Sequence, residues 1–194
     1  MTEVETLSNE QKIKDALSSI YQEHQTLKDN LIYSQLDGLT KEIKSAKNVF
    51  LLGMGRSGFM MKAAAMRLMH LGFNTYVVGE TTTPAIGPGD LLITGSGSGT
   101  TKTIVRAAQT SREVGARVVA FTANPESQLA SLSHLVVQVN AAQKEEHGTS
   151  RSIQYAGSLF EQALLLIFDS VIQVLWKSKG ESAEQLWTRH SNLE

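Results

Sequence analysis

The residues best placed for chemistry fall in two glycine-and-hydroxyl clusters and one carboxylate. The first cluster is Gly95-Ser96-Gly97-Ser98-Gly99-Thr100-Thr101, which follows the apolar run Leu91-Leu92-Ile93-Thr94. Glycines let a chain turn sharply and approach a ligand closely. A helix starting behind such a loop presents unpaired N–H groups and the positive end of its dipole. The hydroxyls of Ser96, Ser98, Thr100 and Thr101 add side-chain donors. Together these are the parts of an oxyanion cradle, most often one for phosphate. The spacing is not the G-x-x-x-x-G-K-[ST] of ATP-type loops, and Lys102 lies inside the helix.

The second cluster is Gly53-Met54-Gly55-Arg56-Ser57-Gly58, again directly after an apolar run, Asn48 to Leu52. It matches the dinucleotide fingerprint G-x-G-x-x-G, and Glu80 follows about twenty residues later, where a ribose-binding acid belongs. Two features favour a smaller anion. Arg56 and Ser57 place a cation and a hydroxyl inside the turn, and a dinucleotide has no use for the second hydroxyl-rich loop. Two such loops at the carboxyl ends of neighbouring parallel strands define one small polar pocket, so the residues favour a sugar phosphate over a dinucleotide.

Glu161 is the carboxylate. On a helix it shares a face with Leu165, Phe168 and Ile172. A carboxylate on an apolar face is costly unless it is paired or used. It reads either as a general base or as an acidic residue serving the helix dipole. His190 stands near the C-terminus beside Arg189. His70, His134 and His147 have no metal-ligand spacing, so no metal is expected.

These groups need a frame. Strand signals at Asn48–Leu52, Thr75–Val78, Leu91–Thr94, Arg117–Thr122 and Leu135–Val139 alternate with helical stretches. The strands read as continuous apolar runs, which predicts a parallel sheet covered on both faces. Helices are expected to Leu71, over Thr100 to Val114, from Pro125-Glu126-Ser127, over Tyr155 to Lys179, and from Ser182 to Trp187. Gly72, Gly115 and Gly180 are their stops. An N-terminal helix capped near Ser8-Asn9 carries the heptad-spaced seam Ile13, Leu17, Ile20, His24, Leu27, Leu31, and a second helix covers Ser34 to Ser45. The polar stretch Asn140 to Gln154 is long for a loop, so a functional or mobile segment is expected there.

The 194 residues suffice for one domain with a sizeable core. A formal net charge of −1 argues against a nucleic-acid surface, and the lack of cysteine excludes disulfides and thiolate metal sites. The longest unbroken apolar run, Ala163 to Phe168, is short for a membrane span. A cytoplasmic protein without membrane or nucleic-acid partners is expected.

The two glycine loops, Val78-Gly79-Glu80, the helix Ala65-Met66-Arg67-Leu68-Met69-His70-Leu71-Gly72-Phe73 and Gly157-Ser158-Leu159-Phe160-Glu161 together resemble the SIS (sugar isomerase) domain family. The resemblance runs over nearly the whole chain and is strongest to the members that isomerise phosphorylated hexuloses. It implies a single SIS domain of α/β class: a five-stranded parallel sheet flanked by helices, a flavodoxin-like three-layer α/β/α arrangement. N-terminal helices over about 8–46 and C-terminal helices over about 155–188 would pack on that core. It implies interconversion of D-arabino-3-hexulose 6-phosphate and D-fructose 6-phosphate, as in the ribulose monophosphate route of formaldehyde fixation. It assigns sugar-phosphate contacts to Ser57 and to Ser96, Gly97, Ser98, Gly99, Thr100 and Thr101, and proton abstraction to Glu161. Thr100 stands where relatives often carry Glu or Arg. Gly55, Arg56 and Glu80 complete the candidate binding set. His190 is the candidate for a histidine supplied by a neighbouring subunit, in a homo-oligomer for which four copies are favoured. No cofactor is implied. A non-catalytic sugar-phosphate sensor and an isomerase of another phosphosugar are the alternatives.

Overall fold

In a computed structural model, which describes residues 7–142 and 152–193, the apolar runs become β1 (Val49–Gly53), β2 (Thr75–Val77), β3 (Leu91–Gly95), β4 (Arg117–Thr122) and β5 (Leu135–Gln138). They form one parallel sheet in the order β2-β1-β3-β4-β5. From β1 the chain goes outward to β2 and then returns to the other side of β1 with β3. The strand order therefore reverses between β1 and β3, the switch point where open parallel sheets bind ligands. The register pairs Leu51 with Ile93 and Gly53 with Gly95. The two glycine loops thus leave adjacent strands at the same height.

The continuous apolar strands are explained by cover on both faces. On one face Leu51, Ile93, Val119, Phe121 and Val137 pack with residues of α3 (Gly55–His70) and α6 (Ser158–Lys179), such as Met61, Leu68, Leu164 and Phe168. On the other, Phe50, Leu52, Leu92, Val118 and Ala120 pack with Ile104, Val105 and Ala108 of α4 (Lys102–Glu113) and Leu129 of α5 (Gln128–Leu132). This is the three-layer arrangement expected. By length and composition α6 is apolar enough to cross a membrane. Here it covers the sheet, with Leu164, Ile167, Phe168 and Val171 buried.

The boundary differences have local causes. Helix α4 starts at Lys102 rather than Thr100, because the Thr100 N–H and Oγ1 both donate to Ser98 Oγ and hold Thr100 in the loop. Helix α6 starts at Ser158 rather than Tyr155: Ala156 takes a left-handed φ of 52°, which no helix can include. Before the sheet come α1 (Asn9–Asp29), capped by Ser8, and α2 (Tyr33–Ser45). Helix α1 packs on α6, and α2 on β5 and α6. The α1 seam divides along its length: Leu27 is buried, whereas Ile13 and Leu17 are 67% and 50% exposed. A short α7 (Ala183–Trp187) follows, closed at its start by a Ser182–Gln185 capping box. Most of the polar stretch expected to be functional, 143–151 including His147, lies outside the described residues.

Candidate functional site

Helix α3 begins immediately after β1, with Met54 as its cap residue and no side-chain cap. Gly55, Arg56 and Ser57 form its first turn, whose N–H groups have no carbonyl partner within the helix. Close packing sets this geometry. A Cβ on Gly58 would lie 2.7 Å from the Gly53 carbonyl oxygen, so only glycine lets the helix start this near the strand end. Ser57 is thereby held in the wall of a cavity of about 440 Å³.

The facing wall is the loop after β3. Its backbone is tied down from behind: the Ser96 N–H donates to the Phe121 carbonyl, the Ala123 N–H to the Gly97 carbonyl, and the Leu129 N–H to the Gly99 carbonyl. Gly99 has a φ of +65°, and a Cβ there would meet Ser127 Oγ at 2.0 Å. Within the loop, Ser96 Oγ accepts from the Gly99 N–H and pairs with Thr101 Oγ1 at 3.2 Å. Thr101, the cap residue of α4, makes no side-chain cap bond to that helix. Gly97, Ser98, Thr100 and Thr101 line the cavity with Ser96, Ser57 and Gly55. Two helix starts and a ring of hydroxyls therefore converge on one volume. Its size is in the range of small-molecule sites.

The first turn of α6 closes the cavity through Gly157, Phe160 and Glu161. Glu161 is 4% exposed, so its carboxylate must be compensated. Arg56 does so from α3, with Nη1 3.0 Å from Glu161 Oε2. The same Nη1 donates to Ser158 Oγ at 3.0 Å. The cation sits at the rim, 58% exposed, while the carboxylate lies inside. A buried carboxylate beside an anion-friendly loop pair can accept a proton from a carbon acid bound there.

The structure brings Gly55, Ser57, Ser96, Gly97, Ser98, Thr100, Thr101 and Glu161 together around one cavity, with Arg56 at its edge, while Gly99 packs against Ser127 and does not line it. It sets two expected residues apart. Glu80 lies outside the cavity lining and pairs with Lys62 of α3 at 2.6 Å, with both side chains about half exposed. His190 stacks on His70 and Trp187, at ring-centroid distances of 3.8 and 4.5 Å. His70 ends α3, the helix that starts at the cavity, so about 22 Å of helix separates His190 from its own chain's site.

Sequence reasoning passed over Asn124, Ala142, Gly157 and Phe160, which also line the cavity. Asn124 had a usable signal, because it follows the carboxyl end of β4, where ligands of such sheets bind. Gly157 and Phe160 stood next to Glu161 in the matched motif. Ala142 lies beyond β5 and carries no chemical signal.

The SIS domain family model matches residues 42–166. The chain is 52% identical over 160 residues to the 3-hexulose-6-phosphate isomerase of Mycobacterium gastri, covering 82% of this chain and 80% of that protein. It is 44% identical over 161 residues to that of Bacillus subtilis (strain 168), covering 82% and 87%. A crystal structure from Methanococcus jannaschii, from which 3-hexulose-6-phosphate isomerase function was inferred, superposes with a TM-score of 0.79 at 30% identity, covering 93% of this chain and 99% of that one.

Proposed function

The chain belongs to the SIS domain family, and on that premise we propose that it is an isomerase interconverting D-arabino-3-hexulose 6-phosphate and D-fructose 6-phosphate. The whole chain acts as one SIS domain in the cytoplasm, within formaldehyde fixation by the ribulose monophosphate route. The observation that carries the reading is the buried Glu161 facing the same cavity as the two hydroxyl-and-glycine loops. The relatives of matching name supply the substrate.

The chemistry follows from the substrate. The carbonyl moves from carbon 3 to carbon 2 through a cis-enediol. Glu161 takes the carbon-2 proton and returns it at carbon 3. The negative charge that develops on the enediolate oxygen needs a donor or cation, for which Arg56, the loop N–H groups and His190 are the candidates. Ser57 and Ser96 to Thr101 hold the phosphate, and that remote binding energy positions the reacting carbons. The 3-ketose cannot close a five-membered ring, because its carbon-6 oxygen carries the phosphate. Fructose 6-phosphate can, so the reverse direction needs a ring-opening acid. His190 of a neighbouring copy suits that part, given its distance from its own chain's cavity, and it requires a homo-oligomer, with a tetramer favoured.

The test is turnover by purified protein of D-arabino-3-hexulose 6-phosphate, compared with arabinose 5-phosphate and glucose 6-phosphate. Rapid formation of fructose 6-phosphate from the hexulose, with little reaction of the aldoses, is expected. Preferred turnover of an aldose phosphate would assign another phosphosugar. Binding of fructose 6-phosphate without turnover would make the chain a sensing module.

A further inference from the structure

Glu23 of α1 is spent on the segment that leads into the catalytic helix. Its carboxylate accepts from the Ile153 N–H at 2.6 Å, from Gln154 Nε2 at 2.7 Å and from Ser152 Oγ at 2.9 Å. A carboxylate taking three donors is a strong anchor. The next α1 residue, His24, donates from Nε2 to Gln162 Oε1 at 3.0 Å, and Gln162 Nε2 donates to Gln154 Oε1 at 2.8 Å. Glu23, Gln154, Gln162 and His24 are thus linked by three side-chain hydrogen bonds, which the Glu23–His24 backbone closes into a ring. The ring joins α1, the segment 152–154 and the start of the second turn of α6.

The ring borders the site from behind. Gln162 directly follows Glu161, and its side chain leaves the helix about 100° round from it. Between Gln154 and the helix lie Ala156, held at a left-handed φ of 52°, and Gly157, which lines the cavity. Ser158, next along, accepts the Arg56 bond. A non-glycine residue keeps such a φ only where its surroundings over-determine it, and the ring is the restraint immediately upstream.

We propose that Glu23, acting through the Glu23–Gln154–Gln162–His24 ring, is a positioning residue: it holds the 152–158 segment so that Glu161 faces the bound sugar. The N-terminal helix, remote from the phosphate loops, is then part of the device that aims the base. This rests on the isomerase reading for its kinetic consequence but not for its structural one.

The test uses full-length Glu23→Gln and Gln154→Ala, the latter breaking the ring from a loop position outside the core. Each is assayed for fructose 6-phosphate formation, and the hydrogen exchange of amides 157–162 is measured. For a misplaced base, kcat falls about tenfold or more while KM stays within about twofold. Exchange quickens at 157–162 and is unchanged at 96–101. Adding Ala156→Gly to Glu23→Gln restores several-fold of the lost kcat, because glycine keeps the left-handed turn without the ring. The proposal is overturned if both single variants keep wild-type kcat. It is equally overturned if kcat falls only with a lower unfolding midpoint and exchange at 157–162 does not change. Absence of turnover in the wild-type protein would remove the isomerase reading, and the exchange at 157–162 would still decide the ring.

Discussion

At the scale of single residues, the proposed mechanism assigns bond-making to Glu161 and holding to the hydroxyls. The carboxylate is buried against Arg56, whereas the serines and threonines surround the space between the helix starts. Ser57→Ala and Ser96→Ala are each expected to weaken fructose 6-phosphate binding by about 1–3 kcal/mol, the value of a hydrogen bond to a charged ligand. Titration calorimetry checks this, and unchanged affinity in both would move the phosphate elsewhere. His70 gives a pH prediction. It is buried under the His190 ring, and among the described residues its Nδ1 has no hydrogen-bond partner. Burial foremost, then the charges of His190 and Arg67, lower its pKa from 6.5. The unfolded chain therefore takes up a proton at pH values where the folded chain does not, and stability is lost as pH falls below 6.5 towards the folded value. His134, lowered chiefly by burial and then by Arg117 and Arg112, acts in the same direction. Thermal unfolding followed from about pH 8 to about pH 5 should show a falling midpoint, with a shallower fall in His70→Phe, where an uncharged ring replaces the imidazole. Identical slopes would show that His70 does not drive the loss.

At the scale of elements, the site depends on strand register. Gly53 pairs with Gly95, so the starts of α3 and α4 reach the same cavity. Gly58→Ala would push α3 off the Gly53 carbonyl. A cost of about 1–3 kcal/mol is expected, as for other overpacked sites, together with weaker fructose 6-phosphate binding; denaturant unfolding and calorimetry read the two effects. Much of this scale was legible. β4 spans the residues that its apolar run indicated, and Gly72, Gly115 and Gly180 all take positive φ at helix ends. The apolar runs were readable because strands buried on both faces need no alternation. What was not legible depends on contacts distant in sequence. Glu80 has the spacing of a ribose-binding acid, but the path of the turn after β2 sets it against Lys62. Arg56 and Glu161 were each singled out, yet nothing in their local sequence states that they pair across 105 residues. The ring built on Glu23 was invisible for the same reason, since its four side chains come from three separate segments.

At the scale of the whole molecule, apolar surface remains to be covered. Ile13, Leu17 and Tyr21 of α1 and Leu166 and Val174 of α6 are each about half exposed or more. A second copy of the chain is the proposed cover, since closed symmetric assemblies are the default. Leu17→Glu is expected to lower the mass measured by light scattering; an unchanged assembly would free α1 from the interface. If His190 serves a neighbour, mixing Glu161→Gln with His190→Ala subunits should restore activity in the fructose 6-phosphate direction, and no recovery after verified subunit exchange would end the shared-site reading. The catalytic reading depends on Glu161 being the base in a sugar-phosphate isomerase. The most direct test is the rate at which wild-type and Glu161→Gln protein form fructose 6-phosphate from D-arabino-3-hexulose 6-phosphate. The account predicts turnover by the wild type and a loss of roughly 10²-fold or more in the variant, as for a deleted general base, with the fold and sugar-phosphate binding retained. Near-normal turnover by Glu161→Gln, or none by the wild type, would contradict it.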